Sequence, residues 1–210
     1  MDAATGRAEL QGLLLELGNN VESLFADAVV ALLADTSQTV DDLRAEDYKV
    51  HEKCLEIDSL CIERLTDGAL EEPEVRFTLA ADKMATDLKH VADECLRIGE
   101  GLRTCGEELG ELRNPADSLL RLAELTQGML SDGLEALVNG DATQASALHL
   151  VFREVAGLHR KALGELAGGM GEQELSPRCG IALSGVALRL ERVASEVLDM
   201  ANQVSHVYGG

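Results

Sequence analysis

Tryptophan is absent from this chain, aromatic residues make up 2% of it, and proline occurs three times. Sheets fill their pleated surfaces with aromatic and β-branched side chains, so this scarcity speaks against a β-rich fold. Cations are few as well: 18 Lys and Arg stand against 38 Asp and Glu, a net charge of −20, and no Lys/Arg-rich run occurs. A nucleic-acid binder must set cations against phosphates, so DNA and RNA are excluded as partners and anionic lipid is disfavoured. No apolar run approaches the roughly 20 residues of a membrane helix, which predicts a soluble chain without direct membrane insertion. The first residues, MDAATGRAELQ, hold no charged stretch followed by an apolar core, so no secretory signal is expected and the chain is placed in the cytoplasm. Cys54, Cys61, Cys95, Cys105 and Cys179 form no CxxC or finger spacing and are odd in number, so reduced thiols buried as small hydrophobes are expected. Lacking a Gly-rich phosphate loop, a G-x-S-x-G turn or a linked cysteine and base, the sequence predicts no enzyme.

What is present is helix-forming. The chain is 46% hydrophobic, mostly Leu, Ala and Val, over 210 residues, and reads as all-α. Pro73, Pro115 and Pro177 each sit where a helix begins and no N–H is needed, Pro115 behind Asn114 and Pro177 behind Ser176. Turn signals at ADTSQ (34 to 38) and NGDATQ (139 to 144) complete six helices, about 8–34, 37–69, 73–106, 115–138, 142–168 and 175–207. Short connections between them imply antiparallel neighbours.

The third and sixth helices repeat one another without a gap. Residues 76–98 match 178–200 at Arg76/Arg178, Ala80/Ala182, Ala85/Ala187, Leu88/Leu190, Val91/Val193, Ala92/Ala194, Glu94/Glu196 and Leu96/Leu198, and upstream Val50 answers to Val155. The chain is therefore expected to be two tandem antiparallel three-helix bundles, residues 1–107 and 108–210, related by an internal pseudo-twofold and divided in GEELGELRN (106 to 114).

These helices resemble those of the PhoU family of phosphate-signalling regulators, whose third helices carry D-L-R near the start and L-E-R-I-G-D further on. Glu74-Val75-Arg76 and Leu88-Lys89-His90-Val91-Ala92-Asp93 stand for the two motifs in the first half. Arg178 and Leu190-Glu191-Arg192-Val193-Ala194-Ser195 do so in the second, and the tail ANQVSHVYGG also resembles the family's ending. The resemblance implies two metal sites in which E-x-x-x-D of each third helix meets D-x-x-V-D/N of each second helix, because residues at i and i+4 share a face and can give a cation several hard oxygens. Carried over, the first half offers Asp47, His51, Lys89 and Asp93, and the second Phe152, Ala156, Glu191 and Ser195. The second-half site is therefore expected to be lost at Phe152, Ala156 and Ser195, with Glu191 the remaining ligand type. In the first half the Lys89 ammonium is expected to neutralise Asp93 in place of a metal. No cofactor is expected, and at most a residual divalent metal held by Asp47, His51 and Asp93. Arg76, Arg178 and Arg192 are either family-equivalent helix markings or salt-bridge partners.

The segment TDLKHVADEC (86 to 95) concentrates this question. With Phe77, Ala81, Met84, Leu88, Val91, Cys95 and Ile98 as the buried stripe, Lys89 and Asp93 fall on one flank, and Arg76, Lys83, Asp87, His90 and Glu94 on the other. The second flank reads as a solvated edge, with a phosphorelay role for His90 as the alternative. On the second helix, Asp47, His51, Cys54, Asp58 and Cys61 share one stripe, either a residual zinc or iron site or an Asp-His hydrogen bond beside reduced thiols. By resemblance, the chain is expected to be a non-enzymatic adaptor in phosphate homeostasis. Its partners would be a phosphate ABC transporter ATPase and a sensor histidine kinase, through which it could lie peripheral to the inner membrane, and homodimerisation is a further expectation. A cytoplasmic helical scaffold or a phosphotransfer module is the alternative.

Overall fold

The computed structural model describes residues 3–33, 39–67, 70–106, 108 and 117–209. Six helices fill this span: α1 (Ala3–Leu33), α2 (Thr39–Thr66), α3 (Glu72–Cys105), α4 (Asp117–Asn139), α5 (Ala142–Gly171) and α6 (Pro177–Tyr208). The expected turn at 34 to 38, the helix start at Asn114-Pro115 and all of the expected linker except Gly106 and Glu108 lie outside the described residues. Among the described residues no helix is long and apolar enough to cross a membrane.

Local chemistry explains where the helices begin. Pro73 lies in the first turn of α3, flanked by Glu72 and Glu74, whose charges suit the positive end of the helix dipole. Ser176 caps α6, its hydroxyl accepting from the Cys179 amide at 3.2 Å. Asp141 caps α5 by accepting from the amides of Thr143 and Gln144 at 2.9 and 3.0 Å. Between α4 and α5, Gly140 has φ +60° and faces the Tyr208 ring, 2.9 Å from where a Cβ would stand, so both its backbone and its surroundings require glycine.

Helices α1, α2 and α3 pack mutually, as do α4, α5 and α6. Between the bundles, α3 meets α6 and α1 meets α4. Each of these contacts joins a helix to its own counterpart, which is what a twofold relation generates. Burial repeats in the same register: Met84, Ala85, Leu88, Val91, Ala92, Cys95 and Ile98 in α3 are matched by Val186, Ala187, Leu190, Val193, Ala194, Val197 and Met200 in α6. Val50 and Val155 are likewise both fully buried. Phe25 and Phe77 are the large aromatic side chains among the fully buried ones, and Leu, Val and Ala supply most of the rest, so the core is filled by interlocking aliphatic rows.

Two expectations are corrected here. The α3 flank read as solvated is instead the seam between the bundles: Asp87 and Glu94 are each only 6% exposed, because α6 covers them, while Arg76, Lys83 and His90 remain exposed. A single-helix pattern ranks faces by polarity and cannot show that a second amphipathic helix lies over a charged edge. The cysteines are not all reduced, since Cys105 and Cys179 form a disulfide with their Cα atoms 4.6 Å apart. The C-terminal end of α3 crosses the N-terminal end of α6 there, a proximity that 74 residues of separation conceal in the sequence. Cys54, Cys61 and Cys95 are free.

Candidate functional site

The Glu74-Val75-Arg76 motif has a structural use. Glu74 accepts from Arg7 of α1 at 3.1 Å and from Arg64 of α2 at 3.2 Å, and so ties all three helices of the first bundle at the start of α3. Arg76 is exposed and pairs with Glu72 one turn back, at 2.6 Å. Two serines mark the corresponding helix starts elsewhere. Glu165 of α5 accepts from both the amide and the hydroxyl of Ser118 in α4, and Glu108 does the same for Ser176 before α6. These bonds to Ser176 hold the Glu108 carboxyl below its usual range.

On the outer face between α2 and α3, the residues assigned to the first-half site lie near one another. The Lys89 ammonium stands 3.2 Å from Asp93 Oδ2, one turn apart on α3 and each about one-third exposed. Asp47 of α2 is half-buried, and its carboxyl is raised above the usual range by burial and then by the charge of Asp93, with Lys89 and His51 pulling the other way. His51 itself is exposed. The ligand atoms of Asp47, His51 and Asp93 do not all lie within 4.8 Å of one another, and the cation seated on Asp93 is lysine. The neighbouring thiols Cys54 and Cys61, which burial raises to about 11 and about 12, are not grouped with these carboxylates in a common ligand cluster. This donor set does not fit the divalent site that the family resemblance implies.

On the matching face of the second bundle, Phe152 and Ala156 are half-buried, Ser195 is exposed, and Oε2 of Glu191 lies 2.8 Å from Nδ1 of His159 in α5. His159 takes the place in α5 that Cys54 takes in α2, given the Val50/Val155 register. Sequence reasoning missed this partner, although an imidazole one turn beyond Val155 on the same stripe was the available signal. A carboxylate and one imidazole, beside an aromatic and a methyl, leave the ion short of ligands here too.

The densest charge lies at the seam. Glu94 receives Arg97 at 2.6 Å, Arg189 at 3.2 Å and Arg192 at 3.6 Å, the last two from α6. In the opposite sense, His90 Nδ1 stands 3.3 Å from Glu196 Oε2. His90 corresponds to Arg192 and Glu94 to Glu196, so these are one contact made twice across the pseudo-twofold. Nearby, Arg97, Arg178 and Arg189 line a groove of 440 Å³ between α3 and α6, together with Gly101 and Gly185. Of the marked arginines, then, Arg76 and Arg192 are ion-pair partners and Arg178 is an exposed wall of this groove.

The architecture defines a class: a duplicated helical scaffold, two three-helix bundles joined along a charged seam. Within that class, the PhoU domain matches residues 14–102 and 119–204, one copy in each bundle, and the chain belongs to the PhoU family. It is 24% identical over 203 residues to the phosphate-specific transport system accessory protein PhoU homolog of Pseudomonas putida, covering 96% of this chain and 78% of that one. The similarly named Pseudomonas aeruginosa protein is 24% identical over 207 residues, covering 97% and 85%. Among solved structures, PhoU from Pseudomonas aeruginosa superposes with a TM-score of 0.90 at 23% identity, covering 97% of each chain. The phosphate transport system regulatory protein PhoU from Streptococcus pneumoniae does so with 0.89 at 19%, covering 98% of this chain and 96% of its own. The two-bundle helical fold expected from the repeat is thus the fold of these proteins.

Proposed function

We propose that this chain is a non-enzymatic regulator of inorganic-phosphate uptake and phosphate-starvation signalling that acts by binding other proteins. The observation that carries this reading is the match of the PhoU domain to both bundles, beside relatives named for phosphate transport. Its partners are a phosphate ABC transporter ATPase and a sensor histidine kinase, met in the cytoplasm and reached at the inner membrane through those proteins. The outer face of α2 supports a docking role. Tyr48, Leu55 and Ile62 recur two turns apart and are 62, 52 and 55% exposed, an apolar stripe bordered by exposed Glu52, Glu56 and Glu63. A partner with an apolar centre and a basic rim fits it.

The alternative, a phosphotransfer module, lacks its sequence signature, since no H-x-L-K-G pattern occurs. The test is co-purification of tagged chain with the transporter ATPase and the kinase cytoplasmic domain from phosphate-replete cells. Capture of both is expected in the native chain and loss of at least one in Leu55→Asp/Ile62→Asp, with helical circular dichroism unchanged. Capture of neither by the native chain refutes the adaptor reading. Homodimerisation is read separately by sedimentation, where a species that stays at 22.4 kDa at high concentration rules it out.

In the same reading, the Lys89 ammonium replaces the family's metal charge on the α2–α3 face. Lys89→Glu restores paired acids at i and i+4 and is expected to add about one bound iron or zinc per chain relative to native protein. Asp93→Asn in the same background is expected to remove the gain. Elemental analysis of the three proteins side by side checks this, and equal metal in native and Lys89→Glu protein refutes the substitution.

A further inference from the structure

The pseudo-twofold makes the two ends of the α3–α6 seam a controlled comparison. At one end Glu94 faces Arg189 and Arg192. Their counterparts in the first repeat are Asp87 and His90, and these face Glu196, the counterpart of Glu94. One end therefore places cations on a carboxylate, while the other places two carboxylates beside one imidazole. Among the described residues no lysine or arginine comes within ion-pair distance of Asp87 or Glu196, Glu196 having His90 alone. Asp87 is only 6% exposed and its Oδ2 has no hydrogen-bond partner. Burial first, then the charges of Glu196 and Asp199, push its carboxyl up to about 6 against the opposing pull of Lys83 and His90. A buried carboxylate oxygen left without a partner costs stability unless something positive meets it.

The geometry suits a metal ion. One ligand atom from each of Asp87, His90 and Glu196 lies within 4.8 Å of the other two, and Nδ1 of His90 is 3.3 Å from Oε2 of Glu196. Two donors each about 2.05 Å from a tetrahedral zinc ion stand roughly 3.3 Å apart, so this spacing needs little adjustment. We infer that Asp87, His90 and Glu196 form a binding site for one divalent transition-metal ion, which bridges α3 to α6 and leaves its outward position open to water. Two carboxylates balance the ion's charge. The imidazole selects against calcium and magnesium, which ask for six or more oxygens, and the affinity order of the first transition row favours zinc over manganese and iron(II). The site is separate from the α2–α3 face, since Asp87 and His90 lie on the seam flank of α3 and Lys89 and Asp93 on the other. It does not depend on the phosphate-signalling reading.

The test is calorimetric titration of zinc chloride into tag-free, full-length chain previously stripped with EDTA. Saturable binding of one zinc per chain is expected, with the dissociation constant raised at least tenfold by Asp87→Asn and by His90→Gln and unchanged by Asp47→Asn. His90 is half-exposed at its side chain, so His90→Gln keeps the fold, which matched circular dichroism verifies. Cobalt(II) gives a second readout, as its visible absorption in native protein should be lost in His90→Gln. Absence of saturable zinc binding in the native chain overturns the proposal. So does binding that survives both seam substitutions, or that is lost with Asp47→Asn.

Discussion

Replacing Cys105 and Cys179 together by alanine is expected to lower the free energy of unfolding by about 4 kcal/mol, the largest single effect foreseen for this chain. The bond closes a loop of 74 residues, and the chain-entropy relation for a loop of that size gives this magnitude. It also joins the two bundles directly, from the last turn of α3 to the first turn of α6. Either single alanine variant should lose nearly as much as the double, because one missing sulfur already opens the loop, and the two effects should be strongly non-additive. Urea unfolding of native, single and double variants, each with and without reductant, reads the effect. Native protein should fall toward the variants when reduced, whereas the double variant should not respond. A native unfolding midpoint indifferent to reductant would show that the bond contributes nothing. Because Cys179 is fully buried and Cys105 nearly so, reduction requires opening of the seam, and the reductant must be equilibrated with the unfolding mixture rather than mixed briefly.

The disulfide also marks where sequence reasoning stops. Proline and turn signals located the six helices, and periodicity gave the α3 core row from Phe77 to Ile98, because burial in a bundle is written in a helix's own pattern. The register of the repeat gave Leu88 with Leu190 and Val50 with Val155, positions that are equally buried. What the pattern does not encode is which flank of a helix another bundle covers. Asp87 and Glu94 look like a wet edge in one helix and become interior once α6 lies across them. Cys105 and Cys179 meet for the same reason. At the family-equivalent positions, acids could be counted along the sequence, so Phe152, Ala156, Ser195 and Lys89 were visible as departures. The seam cluster of Asp87, His90 and Glu196 was not, since its third member comes from the other repeat. Laying the repeats together does expose it in hindsight: Asp87 answers to Arg189, an exchange of sign at one register.

That exchange yields the second large effect, a pair of equivalent substitutions with opposite outcomes. Glu94→Ala is expected to cost about 3 kcal/mol, the lower end for breaking a buried ion pair, because it strands Arg97, Arg189 and Arg192 around a vacated seam. Arg97 and Arg192 are about half exposed and can recover solvent, which holds the loss below the full penalty. Arg192→Ala, by contrast, removes an exposed partner at 3.6 Å and should cost under about 1 kcal/mol. At the counterpart position, Glu196→Ala in chelator-treated protein removes the negative charge facing the buried Asp87, so relief of repulsion opposes the loss of the His90 contact. The variant should be neutral or more stable than native. Urea unfolding of Glu94→Ala and Glu196→Ala under identical metal-free conditions decides the matter. Similar losses in both would mean that the two ends of the seam are energetically alike and that the replacement of Arg189 by Asp87 in the other repeat has no electrostatic consequence. A loss at Glu94 with none at Glu196 would show that one ancestral contact has kept its ion pair in one repeat and, in the other, left a carboxylate pair that requires a cation.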